Sequence, residues 1–87
     1  MHYVYLLQSE SNPNQSYTGY TSDLRQRLSK HNSSGDLHTS KYKPWRIEAY
    51  FAFPDKITPL NFELYLKSAS GRAFAKKRFR NSQGAQS

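Results

Sequence analysis

Cysteine is absent from the 87-residue chain, which removes disulfides, thiolate catalysis and every Cys-containing zinc site at once. Whatever chemistry the chain performs must use oxygen and nitrogen groups. No apolar run approaches the roughly 20 residues of a membrane helix. The start, Met1-His2-Tyr3, lacks a charged region followed by an apolar signal core. A soluble, cytoplasmic protein with no membrane partner is therefore expected. Neither G-x-x-x-x-G-K nor G-x-G-x-x-G occurs, so no Gly-rich phosphate loop is available, and the nucleophile elbow G-x-S-x-G is missing too. His2, His31 and His38 show no paired metal-ligand spacing.

Acids are scarce as well, 6 against 13 Lys+Arg, for a formal charge of +7. That balance favours an acidic partner, of which phosphates are the commonest, although a solvated basic surface gives the same number. The excess is localised. Residues 67–87 carry Lys67, Arg72, Lys76, Lys77, Arg78 and Arg80 with no acid, and residues 23–48 interleave Arg25, Arg27, Lys30, Lys41, Lys43 and Arg46 with Asp23, Asp36 and Glu48. A hydrophobic fraction of 36% with 15% aromatics suits a small folded domain and not a disordered basic tail. One domain over residues 1–80 is expected, followed by a flexible polar tail over 81–87.

Residues 3–8, Tyr-Val-Tyr-Leu-Leu-Gln, read as a strand that is apolar on both faces. After the turn residues 9–15, Ser16–Tyr20 completes a hairpin. Asp23 with Gln26 resembles a capping box, opening a helix with a Leu24/Leu28 stripe that ends near Asn32. Residues 32–44 form a polar loop, expected to be mobile. Trp45–Phe53 alternates as a third strand. Thr58-Pro59 gives a cap and a first-turn proline for a helix through about Lys67, apolar nearly all round and therefore expected to be buried. A final basic helix runs from Arg72 to about Phe79, with Phe74 as its anchor. The order is β-β-α-β-α-α, an α+β fold with a small sheet, antiparallel at least in its first hairpin, flanked by helices.

Of the six acids, Asp23 caps a helix, Asp36 and Asp55 sit in turns and Glu10 in the hairpin loop, which leaves Glu48 on a strand and Glu63 on a largely apolar helix. Glu63 suits an i,i+4 ion pair with Lys67. Taken alone, the pair is the better reading; a single carboxylate holding a hard cation that keeps waters and takes phosphate oxygens is the other. Arg27 and His31, four apart, stack on one helix face, a guanidinium fork matched to phosphate charge beside a proton carrier at neutral pH. Tyr5 and Tyr17 lie on neighbouring strands, where core packing and hydroxyl chemistry both remain open.

These residues resemble the GIY-YIG nuclease superfamily. Tyr3-Val4-Tyr5 followed by Tyr17-Thr18-Gly19 is similar to the paired motif, with Tyr3 replacing the first Gly and Thr18 the middle Ile. Arg27 falls ten residues after the second tyrosine, His31 one turn later, and Glu63 on a later helix. Tyr20–Leu24, His31-Asn32, Lys43-Pro44-Trp45, Leu66–Ser68 and Gly71-Arg72 resemble the small stand-alone bacterial members, and the likeness spans residues 3 to about 79. The organising Asn of several members has no clear counterpart, Ser68, Ser70 and Asn81 being the nearest candidates.

The resemblance implies a three-stranded antiparallel sheet flanked by helices and metal-dependent endonuclease cleavage of DNA, in repair or processing. It implies one Mg²⁺ or Mn²⁺ on Glu63, Tyr5 as the favoured general base or water-orienting hydroxyl with Tyr17 and His31 as alternatives, and Arg27 on the developing phosphorane charge. Arg25, Lys67, Arg72, Lys76, Lys77 and Arg78 are then expected to hold the backbone, and the chain to sit in the bacterial cytoplasm within reach of the nucleoid. A homodimer or partner protein is expected to supply specificity. A catalytically weak DNA-binding module of the same fold is the alternative, and an RNA substrate a third reading.

Overall fold

The computed structural model describes residues 1–33 and 40–80. The tail expected over 81–87 and the centre of the loop expected over 32–44 lie outside the described residues. Strand β1 (His2–Ser9) pairs antiparallel with β2 (Ser16–Thr21) on one side and β3 (Trp45–Phe53) on the other, giving the sheet order β2-β1-β3. The apolar character of β1 on both faces explains its central place, since a strand covered on both sides needs no polar alternation. Val4 and Leu6 look to one side and Tyr5 and Leu7 to the other, all four essentially inaccessible to solvent. In the β1–β3 register Leu6 faces Ala49 and Leu7 faces Ile47, so Glu48 is the extra residue of a bulge.

Helix α1 (Leu24–Asn32) begins as the sequence predicts: the Asp23 carboxylate accepts the Gln26 N–H at 3.1 Å. Leu24 and Leu28 pack beside Tyr5, Leu7 and Trp45. Asn32 then ties the end of α1 to the start of β3, its side chain donating to the Trp45 carbonyl at 3.0 Å and accepting the Trp45 N–H at 2.5 Å.

The opposite face of the sheet is covered by α2 (Ile57–Lys67) and α3 (Ala69–Ala75), the latter continued by one π-helical turn, Lys76–Arg80. Val4 and Leu6 meet Leu66 and Ala75 there, with Phe51, Phe53, Phe62 and Phe79 around them. The structure departs from expectation at three points on this face. Helix α2 starts before Thr58, and the capping oxygen belongs to Asp55, which accepts the Thr58 N–H at 2.7 Å; Pro59 sits inside the first turn, where no backbone N–H has an intrahelical acceptor. Helix α2 is not buried all round, because only its Pro59, Phe62, Leu66 side meets the sheet, and Leu64 is 69% exposed. Phe74 is half exposed, and the anchors of the final segment are Ala75 and Phe79.

Ser68 separates α2 from α3 and caps the latter by accepting the Gly71 N–H at 3.2 Å. Gly71 has no room for a side chain: a Cβ there would lie 1.8 Å from the Tyr65 carbonyl oxygen and 2.6 Å from the Leu66 Cα. The two helices can fold sharply against each other only at a glycine.

Candidate active site

Four of the five residues expected to act together meet at the β1–β2–α1 junction. Tyr5 projects from the central strand toward α1. Its cross-strand partner on β2 is Gly19, where a Cβ would come within 2.4 Å of the Tyr5 hydroxyl and 2.9 Å of the Tyr17 ring. The glycine thus leaves a slot in which the phenol lies flat over β2. Gly19 serves close approach of a neighbouring group and not a turn.

His31 comes from the last turn of α1 and is buried at 4% exposure, not on the surface as an isolated histidine often is. Its Nε2 lies 3.0 Å from the Tyr5 hydroxyl, and which partner donates follows the imidazole tautomer. The Tyr17 ring packs against the imidazole at 4.6 Å between centroids and stacks on Tyr5 at 6.2 Å. One helical turn before His31, the half-buried Arg27 reaches the Tyr20 carbonyl at 3.5 Å, and its guanidinium lies close enough to the Tyr5 hydroxyl to favour the phenolate. The i,i+4 spacing of Arg27 and His31 delivers both to one phenol.

The ionisation of Tyr5 follows from these neighbours. Burial raises its pKa from 10.0 to about 12, the adjacent Tyr17 and the charge of Glu63 add to the rise, and Arg27 opposes it without cancelling it. Tyr5 is therefore a neutral phenol at physiological pH.

Glu63 enters from α2, on the other face of the sheet, close enough to Tyr5 for its charge to be felt. Its carboxylate pairs with Lys67 at 2.8 Å, and the lysine side chain is 53% exposed while the glutamate retains 17%. Among the described residues no group of three or more His, Asp or Glu gathers in metal-binding fashion. The donor set still fits one hard divalent cation of the Mg²⁺ class, which needs one or two carboxylates and completes its shell with water and phosphate oxygens. The lysine is no obstacle, because an exposed ion pair is worth about 0–1 kcal/mol.

The basic residues divide. Lys67, Arg72 and Lys76 line a 740 Å³ cleft between the α2–α3 corner and the β1–β2 hairpin, together with Tyr17, Thr18, Ser16 and Asn14. Lys77 and Arg78 are exposed and do not reach it. Arg25 lies elsewhere, at the rim of a separate 330 Å³ hollow with Tyr3, Leu24, Leu28, Ile47 and Tyr50. Sequence reasoning missed the polar wall of the cleft. The signal was there: Ser16 and Thr18 alternate onto the sheet face that α2 and α3 cover, where a closed core would demand apolar side chains.

Residues 1–78 match the model of the GIY-YIG catalytic domain. The chain is 40% identical over 72 residues to the UPF0213 protein BH0048 of Halalkalibacterium halodurans, covering 82% of this chain and 74% of the relative. The solution NMR structure of that protein, from Bacillus halodurans, superposes with a TM-score of 0.53 at 34% identity, over 87% of this chain and 82% of the other. It is also 40% identical over 67 residues to the structure-specific endonuclease subunit SLX1 of Scheffersomyces stipitis, covering 69% of this chain but 20% of that much longer protein. The likeness to SLX1 is thus one of domain, not of whole protein. Spacing, fold and family match agree: the chain belongs to the GIY-YIG family and carries its endonuclease-type catalytic domain.

Proposed function

We propose that this domain hydrolyses phosphodiester bonds of DNA as a metal-dependent endonuclease, in DNA repair or processing. The reading is carried by the hydroxyl of Tyr5, buried, 3.0 Å from His31 Nε2 and within the influence of the Arg27 charge. A tyrosine serving only as core filling has no need of an imidazole on its oxygen and a guanidinium nearby.

With its pKa pushed up to about 12, Tyr5 does not act as a standing phenolate base. As a neutral phenol it orients the attacking water and relays its proton: the water proton passes to the phenol oxygen as the phenol proton passes to Nε2 of His31. The oxygen–phosphorus bond forms, the imidazole becomes imidazolium, and the phosphorus–oxygen bond to the leaving group breaks. Arg27 faces the charge that accumulates on the phosphorane oxygens, the kind of interaction whose removal raises a barrier by about 3 kcal/mol. Glu63 would hold the divalent cation, with Mg²⁺ or Mn²⁺ supplying Lewis-acid stabilisation of the leaving oxygen when bound. Tyr17 keeps the His31 and Tyr5 rings in register. Lys67, Arg72 and Lys76 hold backbone phosphates along the cleft, and Arg25, Lys77 and Arg78 contribute a diffuse attraction.

SLX1 is by name a subunit of a structure-specific endonuclease, and by that likeness a partner protein or second copy would supply specificity here. The test is incubation of the protein with supercoiled plasmid, single-stranded DNA and RNA, in Mg²⁺ or in EDTA. Mg²⁺-dependent nicking of DNA is expected. A protein that retards DNA on a gel yet never cuts it is the DNA-binding module instead, and cutting confined to RNA reassigns the substrate.

A further inference from the structure

The 740 Å³ cleft does not have the composition of a general phosphate-binding surface. One wall is cationic, built from Lys67, Arg72 and Lys76 on the α2–α3 corner; the other is neutral, built from Asn14, Ser16 and Thr18 on the hairpin. No carboxylate among the described residues lines it. A surface that only attracts a polyanion gains nothing from the second wall, whereas an amide and two hydroxyls offer the donors and acceptors that base and sugar edges require. The size is that of a site for a small ligand, about 300–1,000 Å³.

The cleft also has a defined place. Lys67, on its cationic wall, pairs with Glu63 at 2.8 Å, and Tyr17, which lines it, stacks on Tyr5. The cleft therefore adjoins the carboxylate assigned to the cation, with the Tyr17 ring on the α1 side of β2 beside Tyr5. The neutral wall is held in shape: Gln8 donates to the Pro13 carbonyl at 3.0 Å and accepts from Arg46, and the Asn14 N–H donates to the Asn12 side chain at 3.3 Å. The hairpin loop is fastened further by the Glu10 N–H donating to the Pro44 carbonyl at 2.9 Å.

We infer that this cleft is a nucleotide subsite, taking the 5′-phosphate of one nucleotide on Lys67, Arg72 and Lys76 and its base or sugar on Asn14, Ser16 and Thr18. The inference rests on the reading of the domain as a phosphodiester hydrolase, because it assigns the cleft to the nucleotide adjoining the reacting phosphate. It distinguishes two functions within the cleft: the cationic wall sets affinity, and the hairpin wall sets which nucleotide is accepted.

The test needs neither metal nor turnover. The four 5′-deoxynucleoside monophosphates and inorganic phosphate are titrated in EDTA into the protein and into Asn14→Ala and Arg72→Ala, following backbone amide shifts by NMR. The spectrum of each variant also reports that it is folded. The expected result is shifts in residues 14–18 and 67–76, with at least one nucleotide binding about tenfold more tightly than phosphate. Arg72→Ala should weaken both ligands by about tenfold. Asn14→Ala should weaken the nucleotide by about threefold and leave phosphate unchanged. Equal affinity for phosphate and every nucleotide, shifts confined to other residues, or no binding overturns the subsite. Nicking without nucleotide binding removes the subsite and keeps the hydrolase; binding here by a protein that never nicks does the reverse.

Discussion

Tyr5 is the residue at which β1, the hairpin and α1 meet, and its environment can be measured without any substrate. A phenol whose pKa rises from 10.0 to about 12 on folding makes the folded state the better proton holder. Stability from this group is complete below pH 10, declines as the unfolded phenol ionises, and is lost as pH rises through 12. The decline amounts to about 2–3 kcal/mol. It should appear in urea unfolding between pH 10 and 12 and be absent in Tyr5→Phe. Gly19 supports the same hydroxyl. Gly19→Ala puts a methyl 2.4 Å from that oxygen, so Tyr5 must tilt away from His31 and Arg27. We expect a loss of about 1–3 kcal/mol by urea unfolding, as for other overpacked sites, with loss of nicking beyond what stability explains. An unchanged midpoint and unchanged nicking would refute the slot.

At the scale of the elements, what the sequence made legible was whatever local periodicity and capping control. Helix α1 follows the Asp23 cap to Asn32. Strand β3 spans Trp45 to Phe53 as expected, but the expected common face of Trp45, Ile47, Ala49 and Phe51 is broken by the bulge at Glu48, which leaves Trp45 and Ile47 on the α1 side and turns Ala49, Phe51 and Phe53 toward α2. Tertiary choices were not legible in this way. An apolar run does not reveal which side of α2 the sheet will cover, so Leu64 reads like Leu66 although one is exposed and the other is buried. Asp55 and Thr58 are both plausible caps, and only the path of the chain after β3 selects the former. The pairing of Asn32 with Trp45, 13 residues away, leaves no local trace. Of the site, Tyr5, Tyr17, Arg27 and His31 were legible because a fixed spacing across one hairpin and one helix turn brings them together. The wall of Asn14, Ser16 and Thr18 left a trace in the polar alternation of Ser16 and Thr18, but that these residues line a cleft depends on where the α2–α3 corner packs. The turn between those helices supplies its own prediction: Gly71→Ala drives a Cβ into the Tyr65 carbonyl, backbone against backbone. A destabilisation of about 3 kcal/mol or more is expected by urea unfolding, at the upper end for overpacking. A neutral result would show that the α2–α3 corner is not close-packed.

For the whole molecule, the charge of +7 now has an arrangement. Arg27 lies at the Tyr5 hydroxyl; Lys67, Arg72 and Lys76 line the cleft; Lys77 and Arg78 lie outside it in solvent. No helix among the described residues is long and apolar enough to cross a membrane, and phosphate attraction gives the basic surface a use in an aqueous setting. Replacing Lys76, Lys77 and Arg78 together by Gln should weaken DNA binding and lower the slope of log affinity against log salt by about 1 for each phosphate no longer neutralised. Arg27→Ala should leave binding nearly intact while slowing cleavage by about 100-fold. If the triple variant keeps the wild-type salt slope, those cations do not touch the backbone.

The proposed hydrolysis turns on the carboxylate of Glu63, even though that group is paired with Lys67 at 2.8 Å. The decisive measurement is nicking of supercoiled plasmid by Glu63→Ala in Mg²⁺, with DNA affinity followed on the same samples. Nicking should fall to the EDTA level while affinity holds or rises slightly, because one negative charge beside the cleft is gone. Nicking that persists at the wild-type rate would overturn this role for Glu63 and move the metal to other residues.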